Sequence, residues 1–167
     1  MIAPMTPRAI ALFALLSLPA WAKPWQGLEP GVTKKESVTK HLGAPTKAQT
    51  EKGREILLYS GMQAVSGTHQ VQVKLDEKGV IERIDVYPVV VLKPSDVETS
   101  YGSWCNADEP TDPCYEKRKS SKGEYWLYQE LGLAVFFVDQ RVEQLVYLPG
   151  KKGAAKKKAK PADDDEE

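Results

Sequence analysis

Apolar and polar positions alternate with a period of two in several short stretches of this chain, and the turns between them are rich in Gly, Asp and Lys. Val71, Val73 and Leu75 fall on one side of an extended segment while Gln70, Gln72 and Lys74 fall on the other, the pattern of a strand with one wet face. Asp76-Glu77-Lys78-Gly79 has turn chemistry, and Val80, Ile84 and Val86 continue beyond it, which predicts an antiparallel hairpin. Upstream, Glu55-Ile56-Leu57-Leu58-Tyr59 predicts another strand. The later half repeats the theme: Glu124-Tyr125-Trp126-Leu127-Tyr128, then Ala134-Val135-Phe136-Phe137-Val138, a turn at Asp139-Gln140-Arg141, and a return over residues 142–148. Apolar on both faces, the second of these is expected to be the better buried, and Trp126 and Tyr128 are expected in the core or in cross-strand pairs.

A short helical segment precedes each set of strands. Val38 and Leu42 are spaced i, i+4 on one face, and Gly43 followed by Pro45 predicts a stop. Thr33 with Glu36 matches a capping box at the start. Before the second set, Pro94 suits a first helical turn, Ser95 with Glu98 matches the same capping chemistry, Val97 and Tyr101 form the face, and Gly102 is the stop. Val38 with Val97 and Gly43 with Gly102 share one offset, whereas Tyr59 and Tyr128 lie further apart. The extra residues fall in the loop that holds both cysteines. The pattern predicts an α+β protein built of two tandem helix-plus-three-strand repeats, with short helices packed on an antiparallel sheet. Units this small bury too little surface alone, so the repeats, at 23–90 and 91–150, are expected to share one core.

The two ends differ in composition from the middle. One basic residue, an apolar run over residues 9–18 broken only by Ser17, and Ala20-Trp21-Ala22 after a proline predict a signal peptide over residues 1–22, with cleavage after Ala22. The run is too short to span a bilayer, for which roughly 20 apolar residues are needed. At the other end, residues 151–160 carry six Lys and residues 163–167 are all acidic; a segment of this kind, 151–167, has no apolar face to bury and is expected to be disordered. Over the whole chain 23 basic side chains balance 23 acidic ones, which argues against nucleic acid as a dominant partner and leaves only weak tail contacts with anionic surfaces. Without its ends the chain holds 16 basic and 18 acidic residues, so the folded part is mildly acidic.

The stretch GLEPGVTKKESVTKHLGAPTKAQTEKGREILLYSG and the hairpin VQVKLDEKGVIERI resemble the SmpA/OmlA (BamE-like) domain of small outer-membrane assembly proteins. The resemblance rests on a Gly-Val-Thr entry, a Val four residues before a Leu-Gly pair, a Pro soon after, an edge strand ending in Tyr and a Gly-containing hairpin turn. Two such units in tandem also resemble the arrangement of β-lactamase-inhibitor proteins. The family's assembly proteins are lipoproteins, whereas the first cysteine here is Cys105, so no lipidation cysteine follows the signal segment. The signal segment implies export to the periplasm or medium and release as a soluble protein, for which another cell-envelope protein is the expected partner.

Candidate chemistry is sparse. Cys105 and Cys114 are the only thiols, and in an exported chain a local disulfide is the expectation. His41 and His69 lack ligand spacing, and the acidic loop with Asp108, Glu109 and Asp112 lacks that of a calcium loop, so neither metal nor other cofactor is expected. No nucleophile elbow, phosphate loop or metalloprotease motif occurs, which favours a non-catalytic binding or adaptor module over its alternatives, an exported enzyme inhibitor or a small periplasmic enzyme. Trp104 and Tyr115 flank the cysteine loop and are the candidate partner contacts.

Overall fold

The strands of the expected hairpins all lie in a single sheet. The computed structural model describes residues 23–121 and 123–150, so the expected signal segment with its expected cleavage site at Ala22 and the charged tail expected to be disordered lie outside the described residues. Helix α1 (Lys35–Leu42) is followed by β1 (Lys47–Glu51), β2 (Arg54–Ser60), β3 (Thr68–Leu75) and β4 (Ile81–Pro88). Helix α2 (Pro94–Tyr101) is followed by β5 (Glu116–Ser120), β6 (Gly123–Tyr128), β7 (Leu133–Val138) and β8 (Arg141–Tyr147). All neighbouring strands are antiparallel, in the order β1-β2-β3-β4-β8-β7-β6-β5.

This architecture overturns the expected pair of helix-plus-three-strand repeats. Among the described residues strand accounts for 46% and helix for 15%, each helix precedes four strands rather than three, and the strands form one eight-stranded sheet. The strands that sequence periodicity missed are β1, KAQTE, and β5, EKRKS. Both are sheet edges, β1 exposed at every position and β5 nearly so. With no side chain to bury on either face, an edge strand needs no alternation, and the signal vanishes. The sheet is continuous because β4 pairs with β8 through Ile84–Tyr147, Asp85–Val146 and Val86–Leu145.

The helices cover one face. Val38 and Val97 are buried in a core with Leu57, Val73, Ile84, Val135 and Leu145, while Leu42 and Tyr101 pack against it. Two tyrosines of the covered face tie the helices down: the Tyr59 hydroxyl donates to the Gly43 carbonyl at 3.3 Å, and that of Tyr128 to the Gly102 carbonyl at 2.9 Å. Core chemistry changes across the sheet, from aliphatic side chains on β3 and β4 to an aromatic cluster of Tyr101, Tyr115, Trp126, Tyr128 and Phe137.

The capping expectations are corrected as well. Thr33 does not cap α1; its hydroxyl accepts the Glu29 amide at 2.8 Å, and the helix starts after Lys34 with no side-chain cap. The Lys35 amide instead donates to the Gly79 carbonyl at 2.9 Å, while Gly31 and Ile81 exchange further bonds with this entry segment. A helix end sewn to the β3–β4 turn has its orphan donor satisfied by tertiary structure. At α2 it is the Asp96 carboxylate, not Ser95 with Glu98, that reaches back to the Lys93 amide, at 2.8 Å. Glu98 remains exposed and accepts a hydrogen bond from the Tyr115 hydroxyl at 2.8 Å.

Candidate functional site

The face of the sheet away from the helices carries the even positions of β2 and the odd positions of β4. Asp85 stands at its centre on β4 and is only 1% exposed. Alternation alone would place this carboxylate in water; the side chains of Arg83, Lys74 and Gln144 close over it instead. Its Oδ1 accepts from the Arg83 guanidinium at 2.6 and 2.7 Å and from the Gln144 amide at 2.8 Å. Lys74 Nζ lies 3.4 Å from Oδ2. A carboxylate removed from water requires such partners. Because Gln144 belongs to β8, the bond spans the β4–β8 seam. Arg83 and Lys74 remain 36% and 32% exposed at their side chains, so two cations flank one buried anion in the middle of this face.

Toward β6 and β7 the same face turns apolar. Tyr125 stacks on Phe136 with centroids 4.8 Å apart, and Leu127 is half-buried beside them. Val138, one of the exposed large hydrophobics, is 50% accessible. Toward the other end, a groove of about 540 Å³ is lined by His69, Gln70, Tyr87, Pro88, Val142 and Glu143. The Tyr87 phenol is pushed above its ordinary range by burial and then by the charge of Asp85, with Arg83 opposing. A protonated phenol, a guanidinium and two amides make this surface suited to hydrogen bonding and ion pairing with a partner.

The cysteine loop is a second feature. Cys105 and Cys114 form a disulfide with Cα atoms 5.0 Å apart. Inside the loop Thr111 acts as a hub: its hydroxyl accepts the Ser103 amide and donates to the Pro113 carbonyl, both at 2.7 Å, and its own amide donates to Ser103 Oγ at 2.9 Å. This knot leaves no room at Gly102, where φ is +110° and a Cβ would stand 1.9 Å from the Pro113 carbonyl oxygen. Asp108, Glu109 and Asp112 are exposed. Among the described residues no group of three or more His, Cys, Asp or Glu is placed to hold a metal ion.

The two candidate contact residues are placed very differently. Tyr115 is 3% exposed, stacked on Trp126 with centroids 3.9 Å apart at an interplanar angle of 11°. Burial and the Glu98 carboxylate hold its phenol far above the ordinary tyrosine range, so Tyr115 is a core residue with almost no surface for a partner. Trp104 is 37% exposed, with the Lys117 ammonium 4.9 Å above its ring. It lines a groove of about 360 Å³ with Cys105, Asn106, Glu116, Lys117 and Arg118.

No family model and no curated protein matches the chain. Among solved structures it is similar to a DUF4309 family protein (YjgB) from Bacillus subtilis, at 14% identity and a TM-score of 0.48, over 77% of this chain and 87% of that one. A likeness at that level carries no functional argument. Among the described residues no helix is long and apolar enough to cross a membrane, and the disulfide is consistent with an exported protein.

What sequence reasoning missed is the uncovered face. Its trace was a pair of charged residues, Arg83 and Asp85, alternating with Ile84 and Val86 along β4. Nothing in the pattern distinguished a solvated carboxylate from a buried, triply partnered one.

Proposed function

We propose that this protein is an exported, non-catalytic binding module that holds another cell-envelope protein against the uncovered face of its sheet. The observation that carries the reading is the composition of that face: a cationic centre, Arg83 and Lys74 oriented by buried Asp85, beside an apolar area formed by Tyr125, Leu127, Phe136 and Val138. Aromatic and Arg anchors next to apolar area are the composition of interface centres. The disulfide supports an oxidising compartment, and with it the periplasmic or secreted location.

The test uses a photo-crosslinking amino acid installed in the full chain, at position 136 on this face or at Lys40 on the solvent side of α1. Irradiation of cells is expected to trap one defined envelope protein from position 136 and not from position 40. If that protein is an exported enzyme slowed by the purified chain, the adaptor role gives way to inhibition. Equal, heterogeneous products from both positions would overturn the assignment of the face.

A further inference from the structure

We propose that the acidic residues 163–167 of this chain dock along the outer edge of β5. An open sheet leaves unpaired backbone donors and acceptors on its two edge strands, here β1 and β5, the latter open beyond Tyr115, whose outer edge is paired with the cysteine loop through Trp104. The edges differ in charge. β1, KAQTE, carries one Lys and one Glu, whereas β5, EKRKS, carries three cations and one anion. That anion, Glu116, is engaged by Arg118 and accepts from the Gln129 amide at 2.9 Å. Lys117 lies over Trp104, so cations project on both faces of β5. The complement of such an edge is a run of carboxylates, and residues 163–167, Asp-Asp-Asp-Glu-Glu, are one.

Chain geometry allows the contact. The last described residues leave β8 beside the β6–β7 connection, where the Leu148 amide donates to the Gly132 carbonyl at 2.7 Å. This is the end of the sheet at which β5 begins, because Glu116 pairs with Leu127 near the end of β6. From β8 to β5 is three strand spacings, about 14 Å. Residues 151–162 extend to at most about 40 Å, so the acids can reach the full length of β5. The lysines at 151–160 share the sign of β5 and do not compete for it. A tether this short holds its acids at an effective concentration near the millimolar range, which makes weak ion pairs and strand pairing sufficient.

The experiment treats the purified full-length mature chain with a zero-length carbodiimide at low and at high salt, followed by peptide mapping. Amide links from residues 163–167 to Lys117 or Lys119 are expected at low salt and should fade as salt screens the contact. Hydrogen exchange of the β5 amides should be at least about threefold slower in the full chain than in one ending at residue 162, as a tethered but weak contact implies. Links only to lysines within 151–160, with β5 exchange unchanged by truncation, would overturn the proposal. Links to β5 found solely between isotopically heavy and light copies would also overturn it, in favour of contact between molecules.

Discussion

Replacing Asp85 by alanine probes the centre of the uncovered face and the β4–β8 seam together. The carboxylate accepts from Arg83 and Gln144 and faces Lys74, and its removal leaves the Gln144 amide, 6% exposed, without this acceptor. Breaking a buried ion pair from one side costs about 3–5 kcal/mol. Here the cations are roughly one-third exposed and can turn to water, which lowers the expected loss to about 2–3 kcal/mol. Asp85→Asn keeps an acceptor for Gln144 but loses the charge, and should cost about 1–2 kcal/mol, the difference between charged and neutral hydrogen bonds. Urea unfolding followed by circular dichroism measures both, with the midpoint moving and the slope constant if only stability changes. The loss should appear as faster amide exchange in β4 and β8, where only three residue pairs form the seam. An alanine variant within about 0.5 kcal/mol of the parent, the range of ordinary surface changes, would show that the cluster is a solvated surface feature and refute the reasoning.

Three further outcomes are expected. Reducing the disulfide should lower stability by roughly 2.5–3 kcal/mol on the chain-entropy account of a loop this short and loosen Trp104 while β2–β4 stay protected; equal loss of exchange protection in β2 and β6 would contradict a local role. Tyr59, Tyr115, Tyr128 and Tyr147 all have phenols raised above the ordinary value of 10.0, chiefly by burial. Their contribution is therefore complete below about pH 10 and is lost as pH rises further, because the unfolded chain releases protons that the native one retains. The slope is about 1.4 kcal/mol per pH unit for each phenol, and reversible phenolate absorbance of all seven tyrosines near pH 10 in a still-folded protein would refute it. Finally, Gly43 and Gly102 both have positive φ, but only at Gly102 does a Cβ meet the Pro113 carbonyl; Gly102→Ala should cost more than Gly43→Ala by at least about 1 kcal/mol, and equal melting temperatures would rule out the close packing of the cysteine loop.

Local chemistry determined much of this protein before any tertiary contact. The alternation of Val71, Val73 and Leu75 chose the buried side of β3, and the carboxylate of Asp76 accepts the Lys78 and Val80 amides at 2.9 Å in the turn that its sequence announced. Val38 and Val97 were readable as the inner positions of their helices, and the cysteine pairing followed from there being no other thiol. Tertiary structure decided what has no local period. Edge strands β1 and β5 bury nothing, so only pairing with β2 and β6 defines them. The start of α1 is closed by the Gly79 carbonyl, contributed by a residue more than forty positions away. Tyr115 has the sequence context of an exposed loop flank, yet Trp126 and Glu98 draw it into the core. Asp85 occupies an outward position like any solvated acid; it is the joining of β4 to β8 that brings Gln144 within 2.8 Å and turns a polar surface position into a buried, fully partnered charge. Periodicity reports which side of a strand a residue occupies, whereas burial on the helix-free side depends on which strands become neighbours.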